Sequence, residues 1–265
     1  EASSRLYTEG GAHVMTALLV HDIEAHRPIF SNITFILTGE RLVTVRYAEP
    51  RGFPLFLASV EKGDAPCGRG AVIMAGLIEA LIQRKADLIE RVQDEVERLA
   101  GTIFDIKGGA QTRHKRLDVM LRSIGKQGEV ASRAQESAAS LDRVLLFFLQ
   151  AARDRNEDAR LIERIESVHR DIRALAEHVR FLSDRTEFLL EATLGMINIE
   201  QNQIIKLFSV MAVMLMPPTL VASIYGMNFR HMPELEWPWG YPLALLVMLA
   251  AAVVPFLYFR RKGWL

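Results

Sequence analysis

Two uncharged stretches near the C-terminus constrain the fold of this chain more than any other feature of its sequence. Residues 207–225 and residues 241–259 each run for 19 positions without a charged side chain. That is about the length at which a helix crosses roughly 30 Å of hydrocarbon. A soluble core helix of the same length would normally carry a polar face. The pattern predicts a transmembrane hairpin at residues 203–265, with an outer loop at residues 226–240.

The charges beside the two spans predict the orientation of the hairpin. The loop carries Arg230, Glu234 and Glu236, whereas residues 260–262 are all basic. By the positive-inside rule the C-terminal tail is cytoplasmic, and two spans place the N-terminal part there as well. The single cysteine, Cys67, agrees with a reducing compartment, so we expect a multi-pass protein of the cell inner (plasma) membrane with both termini cytoplasmic. Aromatic residues typical of the membrane interface stand at the span ends: Trp237, Trp239, Tyr241, Tyr258 and Trp264.

The first 60 residues are β-rich. Residues 13–20 form an apolar, β-permissive run, and residues 33–37 and 42–45 flank a short turn signal at residues 38–41, which predicts a β-hairpin. We expect residues 1–66 to be the remainder of a cytoplasmic α/β subdomain whose N-terminus is truncated.

A helical pattern follows and fills residues 67–202. Apolar residues recur at steps of three and four from Ala71 onward and again over residues 117–150. The third stretch, from about residue 157 to residue 225, predicts one continuous stalk helix roughly 100 Å long at about 1.5 Å per residue. Its heptad stripe fits either packing on an antiparallel neighbour or packing around an oligomer axis. The stripe consists of Leu161, Ile165, Val168, Ile172, Leu175, Val179, Leu182, Thr186, Leu189, Thr193 and Met196.

The first span carries a second stripe, at steps of three and four on one broad face. Small and polar residues on one face of a helix in lipid indicate either packing on another helix or contact with water. Pro217 and Pro218 remove two backbone donors and are expected to bend the helix or loosen a turn. One hairpin is too thin to enclose a path, so any pore must be built by several copies. The stripe residues are Asn202, Ile205, Phe208, Ala212, Met216, Thr219 and Ser223.

The tripeptide Gly226-Met227-Asn228 follows the first span at once, and alone it fits a helix C-cap in which glycine takes a left-handed turn. Its context is more specific. The run MPPTLVASIYGMNF at residues 216–229, the MPEL loop at 232–235, the WGYP of the second span and the tail YFRRKGWL resemble the CorA metal-ion transporter family, in the family's order. Residues 33–46 and the long helices agree less specifically with that family's cytosolic domain.

The resemblance implies an α+β cytoplasmic domain joined to a two-helix transmembrane hairpin, assembled as a homopentamer with the first spans around the pore. It assigns the selectivity site to Gly226, Met227 and Asn228, with Asn228 offering a ring of amide oxygens to the metal ion. Thr219 and Asn202 match polar lining positions. Ile205, Phe208 and Met216 stand where the family has apolar constrictions, which can gate by dewetting. Glu234 either concentrates cations at the mouth or is a solvated loop acid.

The function implied is a channel-like transporter for membrane-potential-driven influx of hydrated Mg²⁺, with Co²⁺ and Ni²⁺ as further ions. Cytosolic divalent cations would gate it, and an acidic helix face offers candidate sites at Asp87, Glu90, Asp94, Glu95 and Glu97. Two alternatives stay open: a Zn²⁺ transporter of the same family, and a membrane-anchored coiled-coil sensor or scaffold.

Other functions find no support in the sequence. Lys plus Arg and Asp plus Glu number 32 each, so bulk charge gives no reason to expect nucleic acid as a partner. We find no nucleophile–base arrangement and no phosphate-binding loop, so no enzyme activity and no resident cofactor are expected. The expected partners are Mg²⁺ as transported and regulatory ion, membrane lipid and further copies of the chain.

Overall fold

The computed structural model describes residues 5–21, 29–65, 68–104, 110–228, 232–233 and 237–264. The chain separates into two compact units, of which the first ends at Thr193 and the second begins at Leu194. The first unit contains a sheet and long helices, and the second contains a helical hairpin.

The first unit begins with a four-stranded antiparallel sheet. Its strands are β1 (Leu6–Glu9), β2 (Ala12–His21), β3 (Ile29–Leu37) and β4 (Leu42–Arg46), in the spatial order β1-β2-β3-β4. The predicted hairpin is confirmed as β3 and β4, because Leu37 lies opposite Leu42 and the Thr38 N–H donates to the Arg41 carbonyl at 2.9 Å. One face of the sheet is buried because side chains alternate along each strand. That face presents Met15, Ala17, Leu19, Ile33, Phe35 and Leu37 to the core.

A short helix, α1 (Gly52–Glu61), follows the sheet and was not predicted from the sequence. Pro54 is tolerated in its first turn, where backbone N–H groups have no partner within the helix. Phe53 and Phe56 are buried in the core. A Cβ at Gly52 would lie 2.7 Å from the Leu81 Cδ2, so a larger residue there would require the Leu81 side chain to shift.

Three long helices complete the first unit: α2 (Gly70–Phe104), α3 (Ala110–Asp154) and the first part of α4 (Ala159–Tyr225). Helices α3 and α4 are antiparallel. The Asp142 carboxylate accepts from His169 at 2.9 Å, and Gly128, earlier in α3, lies against Thr186, later in α4. The long helix predicted from about residue 157 to residue 225 is confirmed.

Helix α4 runs parallel to α2 in this unit. Arg164 donates to Glu79 at 2.6 Å, and His178 and Gln93 are hydrogen bonded at 2.9 Å, so both pairs are separated by 85 residues along the chain. A constant offset of this kind is possible only between helices that advance in the same direction. Helix α4 is therefore held by α2 on one side and by α3 on the other.

The heptad stripe of α4 is the surface by which it packs within the chain. Nine of its eleven residues are buried, and Leu175 and Met196 are half-buried. The hydroxyls of Thr186 and Thr193 donate to the carbonyls of Leu182 and Leu189 at 2.7 Å, so these two polar groups are satisfied inside the core. The interpretation as a helix packed on its antiparallel neighbour is confirmed for this stripe.

The second unit contains the rest of α4 and helix α5 (Gly240–Arg261). Both helices are long and apolar enough to cross a membrane, and almost none of either apolar window is buried within the chain. The two predicted spans lie inside these helices. The fold expected from the sequence, a β-rich start followed by long helices and an apolar hairpin, is confirmed.

Candidate ion-conducting face and its mouth

The stripe predicted on the first span is exposed along its whole length. All seven residues from Asn202 to Ser223 are exposed in the single chain. The apolar members stand out: Ile205 is 60% exposed, Phe208 64% and Met216 68%. Exposure on this scale leaves the stripe available to lipid, to water or to another copy.

A different face of α4 is covered within the hairpin. Val210 is fully buried, while Met214, Pro217, Pro218 and Val221 are half-buried. Helix α5 has a matching half-buried face, which we infer to be its contact with α4. It consists of Ala244, Met248, Ala251, Ala252, Pro255, Phe256 and Phe259.

The exposed stripe and the covered face lie on opposite sides of α4. At about 100° per residue, the mean direction of the stripe is about 180° from the mean direction of the five covered residues. Both faces are mainly apolar, so hydrophobic periodicity alone cannot separate them. The covered face was not predicted, and the small and polar residues of the stripe were the one signal that distinguished the two sides.

A shallow groove of about 460 Å³ runs along the C-terminal half of the stripe. The Thr219 hydroxyl donates to the Leu215 carbonyl at 2.7 Å. Its proton is thereby used inside the helix, while its oxygen retains lone pairs that can accept from a water molecule. The groove is lined by Ala212, Leu215, Met216, Thr219, Leu220 and Ser223.

The proline pair does not interrupt α4, which continues through both residues to Tyr225. Pro217 and Pro218 have no N–H to donate, so the carbonyls of Val213 and Met214 lose their partners four residues on. The bend expected at this point stays a prediction.

The Gly-Met-Asn segment continues the turn of the helix rather than reversing it. The Gly226 N–H donates to the Ala222 carbonyl at 3.0 Å, and the Met227 N–H donates to the Ile224 carbonyl at 3.3 Å. Gly226 is not among the described glycines with positive φ, so the left-handed cap is wrong. A Cβ at Gly226 would lie 3.1 Å from the Ala222 oxygen, so glycine permits this close approach.

Asn228 and Met227 are both exposed at the end of the first span. The Asn228 side chain is therefore free to face a shared axis if copies assemble. Met227 is 48% exposed in the single chain. Glu234 lies outside the residues that the structure describes.

Two of the acidic residues considered as regulatory sites accept hydrogen bonds from neighbouring arginines. Arg84 donates to Asp87 at 2.7 Å, and Arg98 donates to both carboxylate oxygens of Glu95. The hydrogen bond from Arg98 lowers the pKa of Glu95. Among the described residues no group of three or more His, Cys, Asp or Glu side chains is placed to hold a metal ion.

Comparison with known proteins identifies the family. A model described as "CorA-like Mg2+ transporter protein" matches residues 7–261. The chain is 35% identical over 266 residues to the magnesium transport proteins CorA of Yersinia pseudotuberculosis and Salmonella typhimurium, covering 100% of this chain and 81% of each relative. Its fold is similar to the complete structure of the CorA magnesium transporter from Methanocaldococcus jannaschii, with a TM-score of 0.78 at 17% identity over 99% of this chain and 80% of that one. The family match and the curated relatives together show that this chain belongs to the CorA-like Mg²⁺ transporter family.

Proposed function

We propose that this chain mediates membrane-potential-driven influx of hydrated Mg²⁺ through a pore formed by a ring of five copies. The observation that carries the proposal is the position of the exposed stripe on α4. It lies opposite the face that contacts α5 and leads to the Gly-Met-Asn segment at the end of the helix. A helix arranged this way can turn the stripe to a central axis and keep α5 outside, towards lipid.

The mouth has the chemistry to select a hydrated divalent cation. Mg²⁺ gives up its water ligands reluctantly. Five copies of Asn228 would offer neutral amide oxygens that accept hydrogen bonds from the bound waters and leave the hydration shell intact. A ring of carboxylates in a narrow, low-dielectric pore would hold a divalent cation more strongly and slow its release. Backbone carbonyls near Gly226 would add further neutral acceptors.

The apolar part of the stripe supports a gate. Ile205, Phe208 and Met216 are large and exposed on the same face. Side chains of this kind around a narrow axis exclude water, and a hydrated ion cannot cross a dry segment. Asn202 before the apolar segment, and Thr219 and Ser223 after it, flank it with groups that can hydrogen bond to water when the pore is wide.

The cytoplasmic helices support assembly into a ring. Phe181 and Phe188 are 56% and 60% exposed although they lie in α4, between α2 and α3. They are one heptad apart, so they share a face, and it is distinct from the buried stripe. Covering such residues with further copies removes large apolar surface from water.

The membrane potential supplies the driving force. The free energy of a divalent cation falls by about 4.6 kcal/mol when the ion enters a compartment held 100 mV negative, at about 2.3 kcal/mol for each charge. The basic residues 260–262 favour a cytoplasmic tail in the inner membrane. A potential that is negative on the cytoplasmic side of that membrane drives the cation inward.

Flux into liposomes tests the proposal. The full chain is reconstituted around a Mg²⁺-sensitive dye, and an inside-negative potential is imposed with K⁺ and valinomycin. We expect Mg²⁺ influx that depends on the potential and falls by at least about tenfold in Asn228→Ala, as expected for a lost charge-assisted contact worth about 1.4 kcal/mol or more. Gln203→Ala is the matched control, because it removes an exposed amide of α4 away from the stripe.

The same assay separates the alternatives. Equal flux in Asn228→Ala and the parent would remove the selectivity role. Stronger competition by Zn²⁺ than by Co²⁺ or Ni²⁺ would favour the zinc alternative. Absence of flux for every ion, with the chain inserted and folded, would favour a membrane-anchored sensor or scaffold.

A further inference from the structure

The last residues of the chain form an ordered structure at the end of α5. The Trp264 backbone N–H donates to the Phe259 carbonyl at 3.1 Å, and the Gly263 backbone N–H donates to the Arg260 carbonyl at 3.2 Å. With Gly263 at φ +69°, these two bonds make a Schellman motif. The motif folds Trp264 back onto Phe259, and their ring centroids are 5.3 Å apart with the planes inclined by 27°. These contacts place the Trp264 ring against the end of α5.

Two lysines converge on the Trp264 ring from different parts of the hairpin. The Nζ atoms of Lys206, in α4, and of Lys262 each lie 5.7 Å from the Trp264 ring centroid. Lys262 also lies 5.5 Å from the Tyr258 ring. Cation–π contact explains why each ammonium lies near the ring. We refer to Lys206, Lys262 and Trp264 together as the Trp264 clasp.

The charge around the clasp is unbalanced. Arg260 and Arg261 precede Lys262, so four cationic side chains stand at this end of the hairpin. From residue 194 onward, the acidic residues are Glu200 and the two glutamates of the outer loop. Glu200 is buried, with 4% of its surface exposed. Two ammonium groups beside one ring repel each other, and an anion that reaches both would remove that repulsion.

From this arrangement we infer that the Trp264 clasp binds the headgroup of an anionic phospholipid in the cytoplasmic leaflet. The inference rests on the membrane insertion and orientation in the proposed function. A phosphodiester offers oxygen acceptors to both lysines. Tryptophan side chains are enriched at the depth of the lipid headgroups. On α4, Lys206 points about 105° away from the middle of the exposed stripe, so the clasp lies to the side of the stripe and not on the proposed pore-lining face.

Lipid retention measured by native mass spectrometry tests the inference on the full chain in neutral detergent. Phosphatidylglycerol is titrated against phosphatidylcholine with the same acyl chains. The variant is Lys206→Gln/Lys262→Gln, and Lys62→Gln/Lys115→Gln is the control, since it makes the same change in charge at exposed cytosolic-domain positions. We expect the parent and the control to prefer phosphatidylglycerol. The clasp variant should bind it roughly 30-fold more weakly, since each lysine beside an anionic surface contributes about a factor of five.

Further variants and probes make the result decisive. Lys206→Arg/Lys262→Arg should restore the preference, which shows that charge and not folding was lost. Unchanged phosphatidylglycerol binding in the glutamine variant overturns the inference, as does equal loss in the control. Competition by inorganic phosphate at concentrations matching the lipid would overturn the lipid assignment, because it would show a site for free phosphate.

Flux assays on the same preparations distinguish this inference from the proposed function. Mg²⁺ influx without lipid preference refutes the clasp alone. Lipid preference that is lost in the glutamine variant, in a chain that carries no ion, supports the clasp and refutes transport.

Discussion

Replacing Lys85 with methionine should stabilise the chain, and the gain should shrink as the pH rises. Lys85 lies in α2 with 1% of its surface exposed. Its Nζ donates to the Ser137 hydroxyl at 2.5 Å, and that hydroxyl donates to the Leu18 carbonyl at 2.5 Å. The lysine therefore ends a hydrogen-bond chain that joins α2, α3 and β2. Burial lowers the pKa of Lys85 from 10.5 to about 7.

The sign of the pH dependence follows from that lowered pKa. Between about pH 7 and pH 10.5 the unfolded chain keeps Lys85 protonated while the folded chain releases the proton. The unfolded state then binds more protons, so the free energy of unfolding of the parent rises with pH in this window. Below pH 7 the cost of burying the ammonium is at its largest.

The magnitude follows from the same two values. The gap between 10.5 and about 7 corresponds to a cost of about 5 kcal/mol at low pH, at about 1.4 kcal/mol for each pH unit. From pH 7 to pH 9 the cost falls by about 2 kcal/mol. The advantage of Lys85→Met over the parent should fall by that amount, or by roughly 4–8 °C in the unfolding midpoint for a unit of this size.

The assay is thermal unfolding of the full chain in detergent, followed by circular dichroism at pH 7 and pH 9. Comparing variant with parent at each pH cancels the titration of all other groups. Lys115→Met is the control, since Lys115 is exposed in α3 and its replacement should leave no pH-dependent difference. An advantage of Lys85→Met that is the same at both pH values would show that folding does not lower the pKa of Lys85 into this range.

Further predictions concern glycines and the outer face of α4. Gly70→Ala should lower the free energy of unfolding by about 1–3 kcal/mol, because its Cβ would lie 2.6 Å from the backbone just before β4, which cannot move aside. A Cβ at Gly101 would have nothing within 4 Å, so Gly101→Ala should instead raise the free energy of unfolding by about 0.5–1 kcal/mol. Denaturant unfolding of both variants measures the two changes. Phe181→Glu/Phe188→Glu should weaken self-association at least about tenfold in light scattering or native mass spectrometry, since it removes two apolar contacts. Arg173→Glu, also exposed on α4, should leave association unchanged, and equal weakening in both variants would contradict a role for the phenylalanines.

The elements with strong periodicity could be predicted from the sequence. The β3–β4 hairpin follows from alternation on either side of a four-residue turn, and α4 follows from an unbroken heptad stripe. The two spans follow from the absence of charge over 19 residues each. In each case a repeated pattern outweighs any single residue.

The short helix α1 could not be predicted because its signals conflict. It has ten residues, includes Pro54 in its first turn and begins at Gly52. Both residue types usually mark the end of an element, and only the packing of Phe53 and Phe56 on the core selects a helix.

Lys85 shows a signal that was present in the sequence and not used. It falls at the same three- and four-residue steps as Leu81, Ile82, Leu88 and Ile89, which are all buried. A lysine within an apolar stripe is usually assumed to reach solvent. Here the Ser137 hydroxyl gives it a partner inside the core.

The residues of the candidate site could be predicted from the sequence, but what covers them could not. The stripe from Asn202 to Ser223 could be read from its small and polar residues, and the structure adds that it is exposed and lies opposite a half-buried face of α4. What covers the stripe cannot be read from periodicity within one chain, because periodicity reports only which residues share a face.

Cysteine accessibility tests most directly whether the exposed stripe lines a water-filled pore. In a Cys67→Ser background, Ser223→Cys and Met214→Cys place one thiol on the stripe and one on the face that contacts α5. A positively charged, water-soluble methanethiosulfonate reagent is added to liposomes during Mg²⁺ influx. We expect rapid labelling and block for Ser223→Cys and no effect for Met214→Cys. Block through Met214→Cys with Ser223→Cys unaffected would show that the conducting face is the opposite side of α4, contrary to the proposed function.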